Sequence, residues 1–149
     1  YCTVTGYKGD LGTTVEISGS HNGKVVIGIG KEAFKNCTTI ETIILPSTIE
    51  SIGESAFSGC TALSTIDLPS QLTTLGAHAF KDCSSMGTIN IPKNLEVQAT
   101  AISTPFEGCT GLTTVNFDPG TVDIPDYILS GCTSLTGITI PSSVKHIGK

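Results

Sequence analysis

Sulfur is the first candidate for chemistry in this chain: Cys37, Cys60, Cys83, Cys109 and Cys132 recur at intervals of 23 residues, with a single interval of 26, and Cys2 precedes them. Six cysteines would ordinarily suggest three disulfides or a metal site. Here five of them occupy one equivalent slot, three residues after a Phe or Leu and ahead of an apolar strand, where a small, weakly polar side chain suits a core. No C-x-x-C pair is present to anchor zinc. The expectation is a ladder of buried, reduced thiols with no metal and no cofactor. Cys2 lies outside the repeat, and the sequence leaves its redox state open.

The other reactive groups do not assemble. His21, His78 and His146 sit in unrelated slots and none shares a strand face with a nucleophile, whereas a catalytic triad needs convergent geometry. Glycines are spread through turns rather than gathered into a phosphate loop. Asn36-Cys37-Thr38 matches a glycosylation sequon, but its cysteine is expected to be buried, which argues against modification.

The cysteine spacing belongs to a longer repeat, and an internal period of this size is the signature of a solenoid. Aligned on cysteine, the units are 38–60, 61–83, 84–109, 110–132 and a partial 133–149, in one continuous domain with a capping unit at 1–37. They share C-x-x-L-x-x-I-x-L-P-x-x-L-x-x-I-G-x-x-A-F-x-x-C, where L and I stand for any aliphatic residue. The I-x-L stretch has period two, which puts its aliphatic side chains on one face of a short strand. Strands are therefore expected at 42–45, 65–68, 88–91, 114–117 and 137–140. One such strand cannot bury its apolar face alone, but copies stacked about 4.7–4.9 Å apart complete a parallel sheet over a continuous core. The fold class is read as an α/β-type solenoid, mostly β. It is expected to be a right-handed coil, the hand of nearly all parallel crossovers, with 23-residue repeats, a parallel sheet on the inner face, and helix confined to single turns near 31–36, 54–59 and 77–82.

The remaining slots each have a physical reason. Pro46, Pro69, Pro92 and Pro141 follow the strand and end its pairing for want of an N–H. Ile49 and Ile52, with their counterparts Leu72 and Leu75, then Val144 and Ile147, lead the chain back inward, and Gly53, Gly76 and Gly148 are read as supplying a tight bend. Phe34, Phe57, Phe80 and Phe106, with Leu129 in the same slot, are read as a stacked spine. Asn36, Gly59, Asp82, Gly108 and Gly131, just before each cysteine, are types that tolerate a left-handed backbone, so a positive-φ turn is expected in every unit. Unit 84–109 carries three extra residues between Glu96 and Pro105, and unit 110–132 has Asp118-Pro119 in place of the proline and Pro125 in place of the glycine. The coil is expected to bulge between 93 and 106.

With six or seven positions recurring in register over residues 24–149, the pattern resembles leucine-rich repeats. Its I-x-I-P, I-G-x-x-A-F and closing cysteine are similar to the BspA-like subclass of bacterial surface proteins. Tyr1 to Gly23, with V-E-I at 15–17 and Asn22-Gly23 ahead of Val25-Val26, resembles that family's opening unit. The resemblance implies an extracellular or cell-surface, noncatalytic recognition or adhesion module. The alternative is a structural spacer in a larger surface protein. An enzyme is the third class, and no catalytic group supports it.

Composition narrows the partners. Charged residues make up only 14% and the net charge is −5, so there is no basic stripe for a phosphate backbone, and nucleic acid is not expected. No apolar run approaches the ~18 residues of a membrane span. The chain begins at Tyr1 without methionine and stops at Lys149 before the A-F-x-x-C portion of its unit, and is read as a fragment of a longer array. It is expected to be a monomer, with edge-to-edge association open to it at the truncated C-terminal end. The candidate ligand face is the row of outward strand positions Glu16, Ile44, Asp67, Asn90, Asn116 and Thr139, flanked by Thr42, Thr65, Thr88 and Thr114. Evenly spaced donors and acceptors suit a protein or glycan ligand. Small β-branched polar residues also suit any exposed parallel strand, and no aromatic anchor accompanies them.

Overall fold

The computed structural model describes residues 1–149 as fourteen short strands and no helix. In chain order they are β1 (Cys2–Val4), β2 (Thr14–Glu16), β3 (Ser20–His21), β4 (Lys24–Ile29), β5 (Thr42–Ile44), β6 (Ser51–Ile52) and β7 (Thr65–Ile66). Then follow β8 (Thr74–Leu75), β9 (Thr88–Ile91), β10 (Glu96–Val97), β11 (Thr114–Phe117), β12 (Asp123–Ile124), β13 (Gly137–Thr139) and β14 (His146–Ile147). Except for the β3–β4 hairpin, every pairing is parallel, so the chain is a β-solenoid with one turn per repeat.

The inner column comprises β2-β5-β7 and β9-β11-β13, at or within two residues of the expected strands. Its register joins equivalent slots: Ile43 faces Ile66, and Val115 faces both Ile89 and Ile138. A second parallel column, which the repeat pattern showed only as a return segment, runs β1-β4-β6-β8-β10 and β12-β14. Between the columns lies one continuous core whose fully buried members include Ile43, Ile52, Leu63, Leu72, Leu75 and Met86.

Each strand-ending proline opens a hydrogen-bonded turn, its carbonyl accepting from the amide three residues on, as in Leu72 to Pro69 at 2.9 Å. Asp118 does the same in the divergent unit, accepting from Thr121 at 3.1 Å. The third side of the coil carries turns where helical turns were expected. Alternate amides leave the chain segment altogether: Phe34 donates to Ala56 at 2.8 Å and Asn36 to Ser58 at 2.7 Å, so a run of i to i−4 bonds cannot form. Positive φ at Glu32, Ser55, His78 and Tyr127 interrupts the helix as well. The positive-φ slot before cysteine is present in every unit, from Asn36 (60°) and Gly59 (76°) to Gly131 (82°).

The aromatic spine forms with ring centroids 5.3–5.5 Å apart from Phe34 to Phe106, and Tyr7 extends it at 5.9 Å. Leu129 is only half-buried, and Ile128 beside it takes the buried place. Gly53, Gly76 and Gly148 serve close approach rather than a bend. None has positive φ, and a Cβ there would strike the backbone of the preceding unit: Gly30 and Lys31, Gly53 and Glu54, and Asp126 respectively.

The insertion leaves β10 in register with β8 and is absorbed in a turn at 99–105, where Thr100 and Ser103 share a 2.7 Å hydroxyl bond. Beyond it the return column breaks, because β10 does not pair with β12. Pro125 contributes directly. At its slot the amides of Gly53, Gly76, Gln98 and Gly148 each donate 2.8 Å bonds to the preceding unit, and proline has no N–H to give. The third-side ladder is also interrupted here, its last bond before the gap running from Asp82 to Glu107 and the next from Tyr127 to Lys149 at 2.8 Å. At this junction the inner sheet carries the pairing through β9 and β11.

Phe57→Ala should lower stability by about 3–5 kcal/mol, and Thr65→Ala on the exposed face by under about 1 kcal/mol. Chemical denaturation checks both, and equal losses would contradict this assignment of inside and outside.

Candidate functional site

The thiols come first, because their slot determines whether they can react. Cys60 Sγ donates to the carbonyl of Phe34 at 3.1 Å, Cys83 to Phe57 at 3.2 Å and Cys109 to Phe80 at 3.0 Å. Each thiol therefore bonds the spine residue of the preceding unit. Burial pushes the thiols of Cys60 and Cys109 up to about 12 and Cys132 to about 11, and raises Cys83 as well. The thiolate is the nucleophile and the metal ligand, and these sites suppress it. All six cysteines are free; Cys37, Cys60, Cys83 and Cys109 are buried, whereas Cys132 and Cys2 are partly so. Cys2 makes long contacts of 3.6–3.8 Å with the carbonyls of Val25 and Lys24.

The histidines are dispersed. His21 lies in the hairpin against Asn22, His78 in a third-side turn 3.2 Å from Glu107, and His146 in β14 2.6 Å from Asp123. No group of three or more His, Cys, Asp or Glu side chains is placed to hold a metal ion.

The ten candidate face residues all lie on inner-column strands or at their ends. Thr42 is half-buried and the other nine are exposed. Strand register puts them side by side: Thr14, Thr42 and Thr65 form one run, Thr88 and Thr114 another, with Gly137 next. In the parallel row, Glu16 faces Ile44, Asn90 faces Asn116, and Asn116 faces Thr139. Asn116 Nδ2 donates to Asn90 Oδ1 at 2.9 Å, and the Asn90 NH2 group donates to no protein acceptor.

The rows are not continuous. Between β7 and β9 the inner column does not pair, which separates Asp67 from Asn90. The bonds that link Thr65 to Glu41 and Thr114 to Gly87 have no counterpart from Thr88 to Ser64. A cleft of about 380 Å³ opens there, lined by Ser64, Thr65, Asp67, Ser85, Thr88 and Asn90 among others. Thr14, Ser64 and Ser85 were outside the expected face. Thr14 was recoverable from the T-V-E stretch that matches T-I-I at 42–44, but the break leaves no mark in the repeat pattern.

Comparison with known proteins gives one family. The BspA type leucine rich repeat region matches in six copies, over residues 16–104 and 99–149. A leucine-rich repeat protein of T. pallidum is similar at 26% identity and TM-score 0.70, covering 98% of this chain and 77% of its own. A leucine-rich cell surface protein of Faecalibacterium prausnitzii A2-165 is similar at 27% identity and TM-score 0.68 over 91% of this chain, which spans about a third of it (32%). A leucine-rich repeat protein of Bacteroides capillosus ATCC 29799 is similar at 28% identity and TM-score 0.63, covering 78% of this chain and 86% of its own. No curated protein matches.

Alkylation should leave Cys60 and Cys83 unmodified in the native chain and label them after unfolding, and rapid native labelling would contradict the thiol ladder. The same burial sets the pH dependence. Folded Cys60 and Cys109 hold their protons to about pH 12, while unfolded thiols lose theirs near pH ~8.5. The unfolded state therefore binds fewer protons between those values, and stability falls as pH rises through that window. The slope is up to about 1.4 kcal/mol per pH unit for each thiol. Below about pH 8 these groups should contribute no slope, which melting across pH checks.

Proposed function

The chain belongs to the BspA-type leucine-rich repeat family, and we propose that it is a noncatalytic recognition or adhesion module of the cell surface or extracellular space, engaging a protein or glycan through the inner sheet face. One observation carries this. The inner face sets exposed polar side chains from successive units in register on hydrogen-bonded strands, with Asn90 and Asn116 locked together. The thiols point into the core and the histidines lie apart, so the groups that could do covalent chemistry are either suppressed or isolated. The cell-surface description of the Faecalibacterium structure supports the proposed location. No helix of the chain is long and apolar enough to cross a membrane, and the partner we propose is neither nucleic acid nor lipid. We take the working unit to be a monomer.

A second reading, a spacer that holds another domain away from the surface, has its own support. The inner face has no aromatic residue, and Ile44 at 48% exposure is the one large apolar side chain in the candidate rows. Interfaces usually draw most of their energy from such anchors.

Replacing Asp67, Asn90 and Asn116 together by Ala removes the row's carboxylate and amides without touching the core. Binding to immobilised matrix proteins and glycans should fall by about 10-fold or more while the melting temperature holds. Unchanged binding of every retained partner would sink the inner-face reading and favour the spacer.

A further inference from the structure

We propose that the cleft between β7 and β9 is a binding site for a neutral saccharide; this rests on the inner-face reading above and names the ligand class for it. The cleft exists because the inner column is unpaired at this one junction, where β5-β7 ends and β9-β11-β13 begins. The return column is continuous here, β8 pairing with β10, and Phe57 and Phe80 remain stacked at 5.3 Å, so the opening is confined to the inner face of a firmly packed array. Its volume of about 380 Å³ lies in the range of small-ligand clefts, about 300–1,000 Å³.

The lining has the chemistry of a polyol site. Asp67 is an acceptor with no ion-pair partner in the chain. Across the cleft Asn90 keeps its NH2 free, because its oxygen is held by Asn116. Thr65 and Thr88 add hydroxyls that donate to no protein group, and the Ser64 carbonyl receives no bond from Thr88. By contrast, Ser64 and Ser85 spend their protons on the carbonyls of Glu41 and Thr61, so their oxygens remain as acceptors. A hydroxyl both donates and accepts, so a pair of adjacent hydroxyls can give to the Asp67 carboxylate and take from the Asn90 amide.

Charge and shape exclude the main competitors. No Lys or Arg lines the cleft, and Asp67 repels an anion, so acidic glycans and phosphorylated ligands are disfavoured. The single hydrophobic lining residue is Ile66, which is buried, so an apolar peptide anchor finds no pocket. One rung away, continuing the Ile43 to Ile66 register, exposed Ile44 offers an aliphatic surface for the C–H face of a ring.

Amide NMR titration of the nitrogen-15-labelled chain with lactose, mannobiose and N,N′-diacetylchitobiose tests this, at up to about 10 mM, above the ~1 mM range of weak single-site binding. At least one sugar should give saturable shifts centred on the Gly87 and Thr88 amides. Asp67→Asn, which keeps the side chain's shape, and Asn90→Ala should each weaken it about 10-fold, Lys145→Ala on the return side should leave it unchanged, and sialyllactose should bind more weakly than lactose. Absence of shifts with all the neutral sugars, shifts centred elsewhere, or unaltered affinity in both cleft variants overturns the saccharide site. A protein that then binds the native chain and is lost in the triple Ala variant leaves the inner-face reading standing; if no partner responds to that variant either, both readings fall.

Discussion

A strand of two to four residues has too few bonds to exist alone, so everything here depends on one repeat distance: a neighbour must lie one strand spacing, about 4.7–4.9 Å, away. The 23-residue turn delivers that neighbour, and each slot then meets its own copy. This explains why the tolerated residue types are so narrow. A phenyl ring stacks on a phenyl ring at 5.3–5.5 Å with planes within about 12°. A thiol is small enough to sit beneath the preceding Phe and satisfy its carbonyl. Glycine is required where the backbone of the preceding unit passes through the volume of a Cβ. The cysteine periodicity that first suggests chemistry is a consequence of stacking.

The same constraint builds the outer surface. Because register is fixed by the buried Ile and Val positions, whatever lies between them on the strand is displayed in rows, as Thr88 with Thr114 and Asn90 with Asn116 show. Departures from the repeat are then the places where the surface can differ. Both interruptions flank unit 84–109, one in the inner column before it and one in the return column after it. Pro125 accounts for much of the second. For the first, the structure shows the missing bonds between Thr88 and Ser64 without a residue that forbids them.

Much of this was legible in the sequence, because stacking turns local pattern directly into contact. The inner strands, the aromatic spine, the buried thiols and the positive-φ slot follow from side-chain type and period alone. What escaped depends on relations between units. From β6 onward the return strands are only two residues long, too short for a period-two pattern to be seen, and they pair through backbone groups of any residue type. Tyr7 joins the spine from outside the repeat, so no alignment on cysteine finds it. The expected helical turns gave way because their amides bond to the next unit, a partner invisible in any single copy. The ten candidate residues all lie on the inner strands or at their ends, but the interruption at Asp67 could not be read from the sequence, since backbone pairing leaves no trace in those side chains.

The central claim is that each unit's stability comes from its neighbours, in proportion to the ladders shared with them. Native-state hydrogen exchange, resolved to single amides, measures this directly. Protection should be greatest at Ile52, Leu75 and Phe57, where return and third-side ladders are both intact, and should drop across the junction after Gly108, where the inner column alone is paired. Uniform protection from unit 38–60 through unit 110–132 would contradict it.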